Sequence, residues 1–80
     1  MENPGPVMVY IRGMTITLNG STERFDAGAL TVRELLKAKS WSFPLIVVSI
    51  NGRAIARDGW DAATVADGDV VDATHLMSGG

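Results

Sequence analysis

Along MTITLNG, residues 14–20, the apolar Met14, Ile16 and Leu18 alternate with Thr15, Thr17 and Asn19. A period of two marks a strand with one buried and one wet face. Asn19-Gly20 then offers two residues that tolerate positive φ, as a tight hairpin requires, so STERF is expected to return as a second strand. The period changes in LTVRELLKAKS. There Val32, Leu35, Leu36 and Lys39 recur at i, i+3, i+4 and i+7, predicting a helix that buries the first three and packs the stem of Lys39 at its edge. Thr31, three residues before Glu34, predicts a capping box. Lys37 and Lys39 suit the negative end of the helix dipole, and Pro44 predicts the stop before the next strand.

LIVVSI, residues 45–50, predicts a core strand, and Asn51-Gly52 followed by RAIAR predicts a second hairpin. DGWDAATVADGD is too rich in Asp, Gly and Ala for a regular strand and predicts an irregular turn containing at most one short helical turn. VVDATHL predicts the last strand, with Val71 and Ala73 facing the core and Val70, Asp72 and Thr74 facing outward. The expected order is strand, strand, helix, strand, short strand, irregular turn, strand, an α+β arrangement. One helix covers one sheet face, so the other is left for solvent or a partner. Residues 1–13, opening MENPGP, are expected to be a flexible leader or an extra edge strand. The domain proper is expected over 14–76 and a flexible tail over 77–80.

Composition narrows the function. With 46% apolar and 20% charged residues in 80, the chain supports one domain with one modest core. A net charge of −2 gives no basic footprint for nucleic acid. The absence of cysteine removes disulfides, thiolate nucleophiles and Cys-based zinc sites. LIVVSI is far short of the roughly 20 residues of a membrane helix. Glu2 before any base, with only a short apolar stretch after it, does not make a secretory signal, so a cytoplasmic, soluble protein is expected.

Candidate chemistry is sparse. His75 has no carboxylate and nucleophile at triad-like spacing and reads as an ordinary strand histidine. Asp58, Asp61, Asp67, Asp69 and Asp72 lack the spacing of a calcium loop and read as a solvated turn, with Asp67-Gly68 at its tip. RGMTITLNG has glycines but no Lys-Ser/Thr and no helix following, so it makes no phosphate loop. Trp41, Phe43 and Trp60 are expected to close the core. Val70, Leu76 and Met77 are expected on the uncovered side or at the root of the tail, where an exposed apolar patch would dock a partner, with Arg53 and Arg57 adding polar rim contacts.

The order of elements before a closing Gly79-Gly80 resembles the β-grasp, or ubiquitin-like, fold, and more narrowly the ThiS family of sulfur carriers. The pieces that carry the resemblance are MTITLNG, LTVRELL, VVSINGRAIARDGW and VADGDVVDATHLMSGG, which together span residues 14–80. The resemblance implies a mixed four- to five-stranded sheet packed on one main helix. It also implies a carrier rather than an enzyme, with no bound cofactor. Gly80 would be adenylated by a ThiF-like, E1-like adenylyltransferase using MgATP, converted to a thiocarboxylate, and used by a ThiG-like thiazole synthase in thiamine biosynthesis. Gly79 and Ser78 would complete the tail.

Glycine suits that tail because it lacks a Cβ and passes a narrow channel. Four residues from Met77, at about 3.3 Å each, would carry the carboxylate on the order of 13 Å beyond the domain. MoaD-type carriers of molybdopterin synthesis, and carriers for cysteine formation, are similar alternatives. A β-grasp interaction module with an inert tail is an alternative from another class.

Overall fold

Two Asn-Gly turns shape the sheet. Asn19 and Gly20 adopt φ of 52° and 83°, and Asn51 and Gly52 of 51° and 84°. Positive φ at both central residues is the geometry whose twist matches paired strands. The first turn joins β1 (Met14–Leu18) to β2 (Ser21–Phe25). Between them and the second turn come β3 (Ala29–Thr31), helix α1 (Val32–Ala38) and β4 (Ile46–Ile50). Beyond it lie β5 (Arg53–Ile55), a 3-10 turn (Arg57–Gly59), β6 (Thr64–Ala66) and β7 (Val70–His75). This computed structural model describes residues 13–42 and 45–76. The expectations for the leader over residues 1–12, for Phe43 and Pro44, and for Met77, Ser78, Gly79 and Gly80 lie outside the described residues.

Five strands form one mixed sheet in the order β2-β1-β7-β4-β5, and β3 and β6 form a separate antiparallel pair. β7 is central, parallel to β1 and antiparallel to β4. Met14, Ile16, Leu18, Val48, Val71 and Ala73 from the sheet meet Val32, Leu35 and Leu36 of α1, with Val65 and Trp60 completing the buried core. This is the β-grasp α+β architecture, with the helix on one face of the five-stranded sheet.

The start of α1 is fully satisfied. Thr31 Oγ1 accepts from the Glu34 N–H at 3.0 Å, and Glu34 Oε1 accepts from the Thr31 N–H at 2.9 Å, the expected capping box. The remaining first-turn donors, the N–H groups of Val32 and Arg33, reach the carbonyls of Ala63 and Trp60.

Two expectations need correction, and the helix stop has a cause of its own. The helix ends at Ala38, inside LTVRELLKAKS, because Ser40 takes φ of 60°. The Ser40 N–H then reaches Lys37 O and the Trp41 N–H reaches Leu36 O, the paired bonds of a left-handed helix terminus. LIVVSI is not buried throughout, since Leu45 and Val47 are exposed while Val48 is buried. DGWDAATVADGD holds the expected short helical turn but also β6, whose Val65 is buried opposite Leu30 of β3.

Serine pays a steric penalty for left-handed backbone that glycine does not. Ser40→Gly is therefore expected to raise unfolding free energy by about 1 kcal/mol, read as a higher urea midpoint at unchanged slope.

Candidate functional site

The site begins with how β7 is held, because β7 leads into residues 77–80. At its start, Asn51 uses both ends of its amide: Oδ1 accepts from the Val70 N–H at 2.8 Å, and Nδ2 donates to Asp69 Oδ1 at 3.0 Å. Midway, where β1 has ended at Leu18, Asn19 Oδ1 accepts from the Ala73 N–H at 2.7 Å. At its far end the ladder to β4 continues one step past the strand, from the Leu76 N–H to Leu45 O at 2.9 Å. The two turn asparagines thus do more than tolerate positive φ. Their amides stand in for strand partners at Val70 and Ala73, and the β4 ladder carries the hold on to Leu76.

The acidic run serves the same end. Asp67 Oδ1 accepts from the Thr15 N–H at 2.8 Å, and Asp69 Oδ2 accepts from the Ala66 N–H at 2.9 Å, so both carboxylates organise the turn ahead of β7. Asp58, Asp61 and Asp72 are exposed. Among the described residues no cluster of three or more His, Asp or Glu side chains could hold a metal ion.

The outer sheet face carries the apolar surface. Leu45, Val47, Val70 and Leu76 are 50%, 48%, 45% and 46% exposed. Pairing of Ile46 with His75 and Val47 with Thr74 sets Leu45, Val47 and Leu76 together at the tail end of the sheet. Val70 shares the face but sits about 20 Å away along β7, at six strand steps. Of the residues singled out in the sequence, Leu76 thus has apolar company at the tail root, Val70 does not, and Met77 lies outside the described residues. Leu45 and Val47 were missed. Their signal was Ser49, the polar member of LIVVSI, which shares their side of the strand.

The remaining candidates fall elsewhere. His75 is exposed beside a cleft that also touches Asn19, Trp41 and Ile46. Trp60 is buried, donating from Nε1 to Ile55 O at 3.3 Å, and Trp41 packs half-buried against the core. Arg53 is exposed on β5, and Arg57 lies over the Trp60 ring at 4.6 Å. Lys39 packs at the helix edge as its spacing implied, with Nζ 3.0 Å from Glu23 Oε2 and 5.5 Å from the Trp41 ring.

A central strand held to its last residue and an apolar patch at that end directly precede the Gly-Gly sequence. The sequence model of the ThiS family matches residues 9–80, nearly the whole chain and both final glycines. The chain belongs to the ThiS family. Two solved structures of a ThiS-family protein from Geobacter metallireducens agree. A crystal structure of its thiamine biosynthesis protein ThiS shares 39% identity and superposes with a TM-score of 0.75, covering 84% of this chain and 100% of that one. The solution structure of a thiamine biosynthesis protein from the same organism also shares 39% identity, with a TM-score of 0.70 and coverage of 84% and 88%. No curated protein matches the sequence.

Proposed function

We propose that this ThiS-family protein is a sulfur carrier for thiamine biosynthesis, acting through the carboxylate of Gly80. The observation that carries the reading is the family match, which runs through Gly79 and Gly80. The hydrogen-bonded ladder of β7, which reaches Leu76, supports it.

An α-carboxylate is a poor electrophile and is ionised at neutral pH. Activation begins when a Gly80 carboxylate oxygen attacks the α-phosphorus of MgATP on an E1-like, ThiF-like adenylyltransferase. A carbon–oxygen–phosphorus anhydride forms and pyrophosphate leaves. A sulfur nucleophile, such as hydrosulfide, then attacks the carbonyl carbon, and AMP leaves with the bonding pair. The product is a thiocarboxylate whose sulfur a ThiG-like synthase places in the thiazole ring.

In this scheme MgATP is the partner's substrate. The carrier contributes position: β7 fixes the root, and Ser78, Gly79 and Gly80 span the distance into the partner's site. Val70, Leu76 and Met77 were the docking residues expected from sequence. The surface that docks is the tail-root patch of Leu45, Val47 and Leu76, and Val70, about 20 Å away along β7, stands apart from it. Cytoplasmic residence fits this use, and no described helix is long and apolar enough to cross a membrane.

The test is exchange of labelled pyrophosphate into ATP by an E1-like adenylyltransferase of the same organism. Exchange is expected only when the carrier is present. Val47→Asp, which puts a charge into the patch at a half-exposed position, is expected to lower kcat/KM for the carrier about tenfold with an unchanged melting temperature. Binding without exchange, using an enzyme active on another carrier, would replace this reading with the interaction module whose tail is inert.

A further inference from the structure

The chain has seven Lys and Arg against nine Asp and Glu, yet the bases are not evenly spread. A cleft of about 250 Å³ between α1 and the 3-10 turn is lined by Arg33, Lys37 and Arg57 together with Trp41, Trp60 and Ile46, and no carboxylate lines it. Two of the cations are preset. Arg33 and Arg57 lie 5.5 and 4.6 Å from the centre of the buried Trp60 ring, and Asp61 Oδ1 holds Arg33 Nε at 2.8 Å. Lys37 is exposed on α1, one turn beyond Arg33, and makes no ion pair among the described residues. Guanidiniums stacked on a ring lose less rotamer freedom when they take a carboxylate.

The position of the cleft matters as much as its charge. Ile46 lines it, and Ile46 pairs with His75, one residue before Leu76. The cationic cleft therefore opens at the tail end of the domain, on the helix side, while the apolar patch occupies the sheet side of the same end.

We propose that this cleft is a second docking surface, which receives an acidic segment of the enzyme that takes up the tail. The proposal rests on the carrier reading for that partner's identity. Several separated cations along an open cleft complement several carboxylates along a peptide. In a chain of net charge −2, a local cationic surface also orients the encounter with an acidic partner, an effect that salt weakens.

The experiment measures Kd for the E1-like adenylyltransferase of the same organism, without ATP, for wild type, Lys37→Glu and Arg53→Glu. Arg53 is exposed on β5 outside this cleft and controls for the same change in net charge. At about 50 mM salt Lys37→Glu is expected to weaken binding about fivefold relative to Arg53→Glu, the gap closing near 0.5 M, where screening is short-ranged. Thermal melts establish that both variants are folded. Equal Kd values for the two variants would overturn the proposal, as would an absence of wild-type binding. Lys37-dependent binding of inorganic phosphate alone, seen as NMR shifts at constant ionic strength, would overturn it in favour of a small-anion site. Wild-type binding without pyrophosphate exchange would sink the carrier reading while leaving the cleft to be judged by the Kd comparison.

Discussion

Deletion of Gly80 is expected to abolish carrier activity while leaving the fold intact. The variant still ends in a glycine carboxylate, now that of Gly79, so the chemistry of the end group is unchanged. Its position is not. One extended residue is about 3.3 Å, and reacting atoms must approach within about 3 to 3.5 Å, so the shortened tail leaves the carboxylate a full residue from the α-phosphorus. Misplacement by a single ångström costs on the order of a hundredfold, so a loss exceeding about a thousandfold in exchange rate is expected. The buried core ends at Ala73, and the melting temperature should not change. Exchange at the wild-type rate would show that the reacting carboxylate is not that of Gly80.

The largest effect on stability is expected from Leu35→Ala. Leu35 is fully buried on α1, the only α-helix among the described residues, within the core that includes Ile16, Val48 and Val71 of the sheet. Truncation removes apolar contact and leaves a cavity that a seven-residue helix capped at both ends cannot easily collapse around. The expected cost is about 3 kcal/mol, a large part of the stability of a domain this size, and it should appear as a much lower urea midpoint. A shift under about 1 kcal/mol would mean that the helix moves to fill the gap, which close packing against the sheet disfavours.

The elements readable in the sequence were those whose signal is local. Alternation at Met14, Ile16 and Leu18, the two Asn-Gly turns, the Thr31/Glu34 box and the inward pair Val71 and Ala73 each record a short-range constraint, and the structure has all of them. β3 and β6 were not readable, because three residues are too few for a period and Ala-Leu-Thr and Thr-Val-Ala become strands only by pairing with each other. The helix stop at Ser40 was hidden for a related reason. Left-handed serine is locally unfavourable and is held there by the bonds to Lys37 and Leu36 and by Trp41 packing against the core.

The candidate site divides the same way. Leu76 at the tail root could be placed from the last strand alone. Leu45 and Val47 depended on which face of a six-residue apolar run meets α1, for which Ser49 was the one local signal and which register with β7 sets. The role of the asparagine amides in holding β7 was equally distant in sequence, since Asn19 and Ala73 are 54 residues apart.

The central claim is tested most directly by the mass of the intact protein after incubation with the adenylyltransferase, MgATP and sulfide. Replacement of one carboxylate oxygen by sulfur predicts a gain of about 16 Da that requires ATP and is lost on deleting Gly80. Methionine oxidation adds nearly the same mass, so the product is also treated with iodoacetamide, which alkylates a thiocarboxylate sulfur and not a sulfoxide. An ATP-dependent, alkylatable gain is the result the carrier account predicts. No such gain from an enzyme active on another carrier would contradict it.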